Sequence, residues 1–202
     1  MNSDEKLASQ YCGFLNEIRV RLELVRNICN GTLSVGSELF DYELASVNLR
    51  KVLELIAFGS LTANKLAYSV AYVGIEKKWR AKVLLEELEK IHSDFYPKPL
   101  LHPAVREGNP RHLHFDFQSA GFLTRDEFIE LYDLCSKVIH TQNPFAVTVA
   151  VNFRITVVEW VARIEKLLSF HLFRLSGMPQ IWIGELAAPG DGKSHVYIAS
   201  PN

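Results

Sequence analysis

Apolar side chains recur every three or four residues along much of this 202-residue chain, and no other feature of the sequence constrains its fold as strongly. In the first such segment they are Leu7, Tyr11, Phe14, Ile18, Leu22, Val25 and Cys29. This spacing places them on one face of an α-helix, and Asn30-Gly31 is typical of a helix end. With Ser3 as its cap, one long amphipathic helix is predicted at the start of the chain.

Two more helices are expected before the first proline-rich stretch. The second is predicted from near Ser37 to about Gly74, and its apolar residues lie around much of its circumference. Such a pattern indicates a central helix that is covered on several sides. The third is predicted from Ile75 to Ser93, and it ends at YPKPLLHP, where three prolines prevent continuation.

The second half of the chain predicts two further helices and then strands. Thr124 followed by Glu127 matches a capping box, so a helix should begin at Arg125 and run through LYDLCSKVIH. The segment AVTVAVNFRITVV is β-branched, but a helical period continues through WVARIEKLL, so the last helix is predicted from about residue 150. After it, FRL, QIWIGEL and HVYIAS alternate or are rich in strand-forming residues, with turn sequences between them.

The predicted fold is mainly α: a bundle of about five helices with a small C-terminal antiparallel β hairpin or meander. We expect residues 1–170 to form the bundle, with an irregular insertion at 97–121. Residues 171–202 should form a β appendage packed on the bundle. His171 follows an apolar stripe, so it is expected to be buried or to lie at an interface.

Composition restricts the partners. Twenty-two basic and 23 acidic residues give a net charge of −1, so no global field attracts nucleic acid or anionic lipid. We expect no DNA partner, and RNA would need a local patch. The N-terminus lacks a secretory signal, and no stretch has the roughly 18 uninterrupted apolar residues of a membrane helix. Three distant cysteines, Cys12, Cys29 and Cys135, suit reduced, buried thiols in the cytoplasm.

One short segment offers a candidate metal site. In RHLHFDFQ, His112 and His114 alternate with apolar residues and precede Asp116, so a strand would project two imidazoles and a carboxylate to one side. The same alternation fits the solvated face of a strand. The sequence has no paired cysteines, no G-x-S-x-G elbow and no phosphate-binding glycine loop. We therefore expect no cofactor and no bound metal, and keep a metal-dependent hydrolase at His112 and His114 as an alternative.

Two stretches resemble HEPN-like proteins. One runs from Tyr132 to His140 and is followed by Asn143-Pro144-Phe145; the other is LRKVLEL, with Arg50 and Lys51, on the long second helix. HEPN-like proteins are helical bundles, often dimeric, and many are RNases in toxin–antitoxin, phage-defence and RNA-processing systems. The resemblance covers roughly residues 5–170 and implies a helical bundle, homodimerisation and RNA as a candidate partner.

The chain departs from that family at the cleavage motif. Catalytic members place an arginine four to six residues before the histidine, whereas here no arginine stands at those spacings before His140, and Lys137 is only three residues before it. The resemblance then implies a non-catalytic relative, or one that recruits Arg50 or Lys51 from another helix. Arg50 and Glu54 are four residues apart and can instead form an ordinary ion pair.

His140 itself has two interpretations. It can be structural, at a helix C-terminus whose dipole favours a positive charge, or it can move protons in metal-free RNA cleavage with Arg50 as the phosphate clamp. Lys137 and Asn143 are binding candidates, although Asn143 is most simply a helix cap. The leading hypothesis is a non-enzymatic module that acts through homodimerisation or a protein partner; the alternatives are a metal-independent RNase and the metal hydrolase.

Overall fold

The computed structural model describes residues 3–63, 81–91, 95–102, 115–140, 155–174 and 181–199. Within them the helices are α1 Ser3–Cys29, α2 Glu38–Ala63, α3 Ala81–Ile91, α4 Arg125–Ile139 and α5 Val157–Leu168. The strands are β1 Lys98–Pro99, β2 Phe170–Arg174, β3 Ile181–Glu185 and β4 His195–Ala199. The predicted fold class, a mainly α bundle with a small antiparallel sheet, is confirmed.

α2 lies at the centre of the bundle, as its apolar circumference predicts. It packs against α1, α3, α4 and β2. The predicted continuation of α2 to about residue 74 and the start of the third helix at residue 75 lie outside the described residues. α1 ends where the sequence indicates, since Gly31 has φ +74, a left-handed conformation that suits glycine.

The start of α4 is as predicted, whereas the start of α5 is not. The Thr124 side chain accepts the Glu127 backbone N–H at 3.3 Å, and the Thr124 N–H donates to the Glu127 carboxylate at 3.0 Å, which completes the capping box. The prediction of a last helix from about residue 150 was wrong at its start, because Thr156 is the extended N-cap of α5 and accepts the Glu159 N–H at 3.2 Å. A threonine hydroxyl that bonds an amide in this way begins a helix.

The strands form one antiparallel sheet in the order β1-β2-β3-β4, so the predicted three-stranded meander is present. β1 lies in the segment that was expected to be irregular, where Lys98 pairs with Leu172 and Pro99 with His171. Proline is tolerated because β1 is an edge strand among the described strands. Of the strand expected in RHLHFDFQ, residues 111–114 lie outside the described residues, and Phe117 forms only an isolated bridge with Leu100.

The sheet and the helices share one core. Phe173 of β2 and Trp182 of β3 are buried in the same cluster as Trp160 of α5 and the apolar stripes of α1, α2 and α4. The opposite face of the sheet carries a second, smaller cluster: Leu100, Phe170, Leu172 and Ile183. The strands are therefore packed on the bundle through one face, as expected of a packed appendage.

The three cysteines are free, but they are not all buried. Cys135 has no exposed surface, Cys12 is half-buried and Cys29 is exposed. The expectation of burial was wrong for Cys29, because the last turn of α1 extends past the part of the helix that α2 covers. No helix among the described residues is both long enough and apolar enough to cross a membrane.

Candidate functional site

Arg50 lies on α2 and reaches across to α4. Its Nη1 donates to Ser136 Oγ at 3.0 Å and its Nη2 to the Tyr132 hydroxyl at 2.9 Å, while Nε donates to Glu54 at 3.2 Å. The guanidinium carbon also stands 4.7 Å from the centre of the Tyr132 ring. We call Arg50, Glu54, Tyr132 and Ser136 the Arg50 cluster. The cluster confirms the expected Arg50–Glu54 pair and joins two helices of the bundle.

His140 is the residue that ends α4. Its backbone N–H donates to the Ser136 carbonyl at 3.2 Å, and the residue is extended and exposed. Because Arg50 bonds the hydroxyl of Ser136 and His140 bonds its carbonyl, the fold brings these two candidates to within one turn of each other. The contact between them runs through Ser136.

The other candidate residues are less closely joined to this site. Lys51 and Lys137 are exposed, and each follows a member of the Arg50 cluster in the sequence. Asn143 lies outside the described residues, as do His112 and His114, so the candidate metal site falls there too. Among the described residues, no group of three or more histidine, cysteine, aspartate or glutamate side chains could hold a metal ion.

Cys135 lies beside the Arg50 cluster but offers no nucleophile. Burial raises the pKa of its thiol to about 12, and the nearby Arg50 charge lowers it only in part. A thiol is a nucleophile as its thiolate, so Cys135 stays protonated and inert near neutral pH. Its role is packing, as its place on the apolar face of α4 predicts.

The most completely bonded ionisable pair lies elsewhere, between α1 and the sheet. The Tyr11 hydroxyl is 2.8 Å from Nε2 of His171, and Nδ1 of His171 is 3.0 Å from the Leu168 carbonyl. A carbonyl only accepts, so Nδ1 carries the proton and Nε2 accepts from Tyr11. Burial lowers the pKa of His171 to about 4, and that of the Tyr11 hydroxyl is raised for the same reason.

Two contacts close this junction. The rings of Tyr11 and Phe173 stack at 3.9 Å, and Gly184 of β3 faces the His171 ring so closely that a Cβ there would stand 2.5 Å from Cε1. We call Tyr11, Leu168, His171, Phe173 and Gly184 the His171 junction. Both ring nitrogens are bonded and the ring has no exposed surface, so the junction holds α1, α5 and the sheet together and has no room for a substrate.

A second carboxylate–histidine contact lies at the end of β3. Glu185 is nearly buried, accepts the Tyr197 hydroxyl at 2.8 Å and stands 3.7 Å from Nδ1 of His102. Burial, followed by the bond to Glu185, raises the pKa of Tyr197 to about 12. The hydroxyl therefore remains protonated and ties β4 to β3, and no second donor of catalytic geometry is brought to it.

The described surface has one region that sequence reasoning missed. An open groove of about 390 Å³ lies between the end of α1, the start of α2 and the start of α5. It is lined by Ile28, Cys29, Glu38, Asp41, Tyr42, Ala45, Thr156, Val157 and Val158. The loop and first turn beside it expose Leu33, Val35, Leu39 and Phe40. We call the groove and these four side chains the corner surface.

The sequence gave one signal for the corner surface. Residues 27–49 contain no lysine, arginine or histidine, although they include three acidic residues and several large apolar ones. The exposure of the apolar residues was not visible, because Leu39 and Phe40 continue the helical spacing of α2. Comparison of the chain with family models, with curated proteins and with solved structures finds no match.

Proposed function

We propose that this chain is a non-catalytic helical module that acts through protein association. The corner surface carries the proposal. Six of the eleven large apolar side chains that are exposed among the described residues belong to it, with Leu39 at 64%, Val158 at 58% and Phe40 at 55%. Single exposed apolar residues are ordinary, but a contiguous group beside a groove is typical of a protein–protein interface.

The Arg50 cluster supports a non-catalytic role. A phosphate clamp needs a guanidinium whose donors and charge are available to the substrate. Three donor nitrogens of Arg50 are already engaged, and Glu54 offsets its charge. Kinship with HEPN-like bundles, as a relative without the cleavage motif, is part of this proposal. So are a cytoplasmic location and a role in a bacterial defence or RNA-related system.

Photocrosslinking in cells would test association at the corner surface. A photoreactive phenylalanine analogue would replace Phe40 in one variant and Phe117 in a matched control. Both side chains are exposed to a similar degree, 55% and 58%, but Phe117 lies beside β1. We expect a discrete adduct from position 40 alone, with its partner identified by mass spectrometry.

Light scattering from low to high micromolar concentration would show whether the partner is a second copy. Wild type that self-associates should return to a monomer in Phe40→Ser and remain unchanged in Phe117→Ser. A chain that stays monomeric at every concentration, with equal crosslinking from positions 40 and 117, would contradict the association proposal.

A metal-independent RNase is the second candidate. Ser136 joins the two groups that such an enzyme would use, because Arg50 bonds its hydroxyl and the backbone of exposed His140 bonds its carbonyl. His140 would transfer the proton, with Arg50 or the exposed Lys51 stabilising charge on the phosphate.

A broad RNA panel with chelator present separates the two candidates. The association proposal expects wild type and His140→Ala to be equally inert. Cleavage that His140→Ala abolishes without changing the melting temperature would favour the RNase. Metal analysis of protein purified without chelator addresses the hydrolase alternative, which predicts a stoichiometric ion at His112 and His114.

A further inference from the structure

We infer that the corner surface binds an amphipathic helix whose polar face carries lysine or arginine. This inference rests on the proposed association function and adds the chemistry of the partner. It follows from the extent of the surface, from the elements that form it and from the sign of its charge.

The extent of the surface favours a macromolecular partner over a small molecule. The groove alone, at about 390 Å³, is within the size range of small-molecule pockets. However, the apolar surface continues beyond it over Leu33, Val35, Leu39 and Phe40, each at least 37% exposed. A small molecule in the groove would leave these side chains in water, whereas a helix laid across the corner would cover them.

The elements of the corner favour a helix over a strand. The groove lies between the ends of α1, α2 and α5, with the loop from Asn30 to Ser37 at its side. A partner strand would gain its affinity from backbone hydrogen bonds to a sheet edge, and these elements do not present one. Recognition therefore depends on side chains, and an amphipathic helix presents a row of apolar side chains to such a groove.

The charge of the corner favours a basic partner. Its lining includes Glu38 and Asp41, and Glu43 follows one turn along α2. The Asp41 carboxylate accepts the Ser34 hydroxyl and the Val35 N–H, both at 2.7 Å, so its negative charge is fixed where the loop meets α2. Lysine or arginine beside the partner's apolar face would complement these carboxylates.

The same charges disfavour a second copy of this chain at the corner. A symmetric dimer brings identical surfaces together, so the carboxylates of each copy would face those of the other. Residues 27–49 supply no cation to separate them. A partner of opposite charge meets no such repulsion.

Cys29 provides a reporter within the groove itself. It lines the groove and is exposed, whereas Cys135 is buried. A helix seated in the groove should slow the alkylation of Cys29. Because Cys135 reacts only when the bundle opens, its alkylation rate gives an internal control for folding.

The experiment uses two synthetic helical peptides with the same leucine face, one with lysine and the other with glutamate on the polar face. Fluorescence anisotropy on the full chain should show the lysine peptide binding about tenfold more tightly at low salt, with the difference falling as salt rises. The lysine peptide should also slow Cys29 alkylation several-fold.

Surface variants separate the apolar and charged parts of the contact. Phe40→Ser should weaken both peptides, and the double variant Glu38→Gln/Glu43→Gln should weaken only the lysine peptide. Phe117→Ser, with a similarly exposed aromatic, should change neither. Circular dichroism and the Cys135 alkylation rate confirm that each variant is folded.

The outcomes distinguish this inference from the proposed function. Equal binding of the two peptides, or lysine-peptide binding that leaves Cys29 alkylation unchanged, would overturn the basic helix. A wild-type dimer that Phe40→Ser dissociates would also overturn it, while supporting association. A monomer that binds neither peptide and gives no specific crosslink from position 40 would reject both.

Discussion

Two histidines in this fold occupy opposite environments. His171 is fully buried, with both ring nitrogens bonded to Tyr11 and Leu168, whereas His140 stands exposed at the end of α4 and bonds through its backbone. The sequence motif drew attention to His140, but the protein depends structurally on His171. The difference teaches that a histidine's importance to the fold follows from the bonds its ring makes, and an exposed ring near a helix end is available for other uses.

Acid should have the largest effect on this comparison. The pKa of His171 is about 4 in the folded protein against 6.5 for the free side chain, so the unfolded chain binds its proton first as pH falls. Stability from this group is complete above pH 6.5 and is lost between pH 6.5 and 4. At about 1.4 kcal/mol per pH unit, the free energy of unfolding should fall by roughly 3 kcal/mol.

Urea denaturation at a series of pH values measures this slope. His171→Gln should remove most of it, because glutamine does not titrate in this range, while His140→Ala should retain it. An unchanged slope in His171→Gln would contradict the assignment of acid sensitivity to the buried ring.

Overpacking the His171 junction should have the next largest effect. A methyl group at Gly184 would meet the imidazole at 2.5 Å, and backbone on both sides prevents the ring from moving away easily. Gly184→Ala should lower the free energy of unfolding by roughly 2 kcal/mol. Gly190→Ala is the matched control, since a Cβ at Gly190 meets nothing within 4 Å. Equal denaturation midpoints for the two variants would show that the junction is loosely packed.

Removal of one hydroxyl tests the bond to Nε2. Tyr11→Phe keeps the stack on Phe173 but leaves Nε2 of His171 buried without its donor, which should cost about 1 to 2 kcal/mol. The same denaturation measurement applies. A neutral result would indicate that water replaces the hydroxyl, and the junction would then be less tightly closed than its geometry indicates.

His140→Ala should have the smallest effect on stability. Its backbone N–H, which alanine retains, makes the bond to Ser136, and the residue is exposed. The free energy of unfolding should change by no more than about 0.5 kcal/mol. A loss of 1 kcal/mol or more would mean that the ring contributes to the helix end, and the contrast with His171 would narrow.

Local patterns predicted the parts of the fold that local chemistry determines. The Thr124–Glu127 capping box and the Asn30-Gly31 helix end depend on residues within one turn, so both were visible in the sequence. The start of α5 was misplaced because apolar spacing continues through the β-branched segment, and the hydroxyl bond of Thr156 decides the boundary. β1 was missed because two residues that include a proline give no alternation.

The long-range contacts could not be predicted in the same way. Tyr11 and His171 are 160 residues apart, and Arg50 lies 86 residues before Ser136, so no spacing rule joins either pair. The Arg50–Glu54 pair was predicted because it depends on one helical turn. Its wider cluster requires the packing of α2 on α4, which only the folded chain shows.

The contacts of α1 with the sheet set an order for synthesis on the ribosome. Tyr11 bonds His171, and the Cys12 thiol donates to the Ser194 carbonyl at 3.1 Å, so an early helix finds these partners in strands made more than 150 residues later. Until those strands emerge, the aromatic face of α1 has no cover from them. Nascent chains should therefore need shielding of that face, and release from the ribosome should precede the final closure of the molecule.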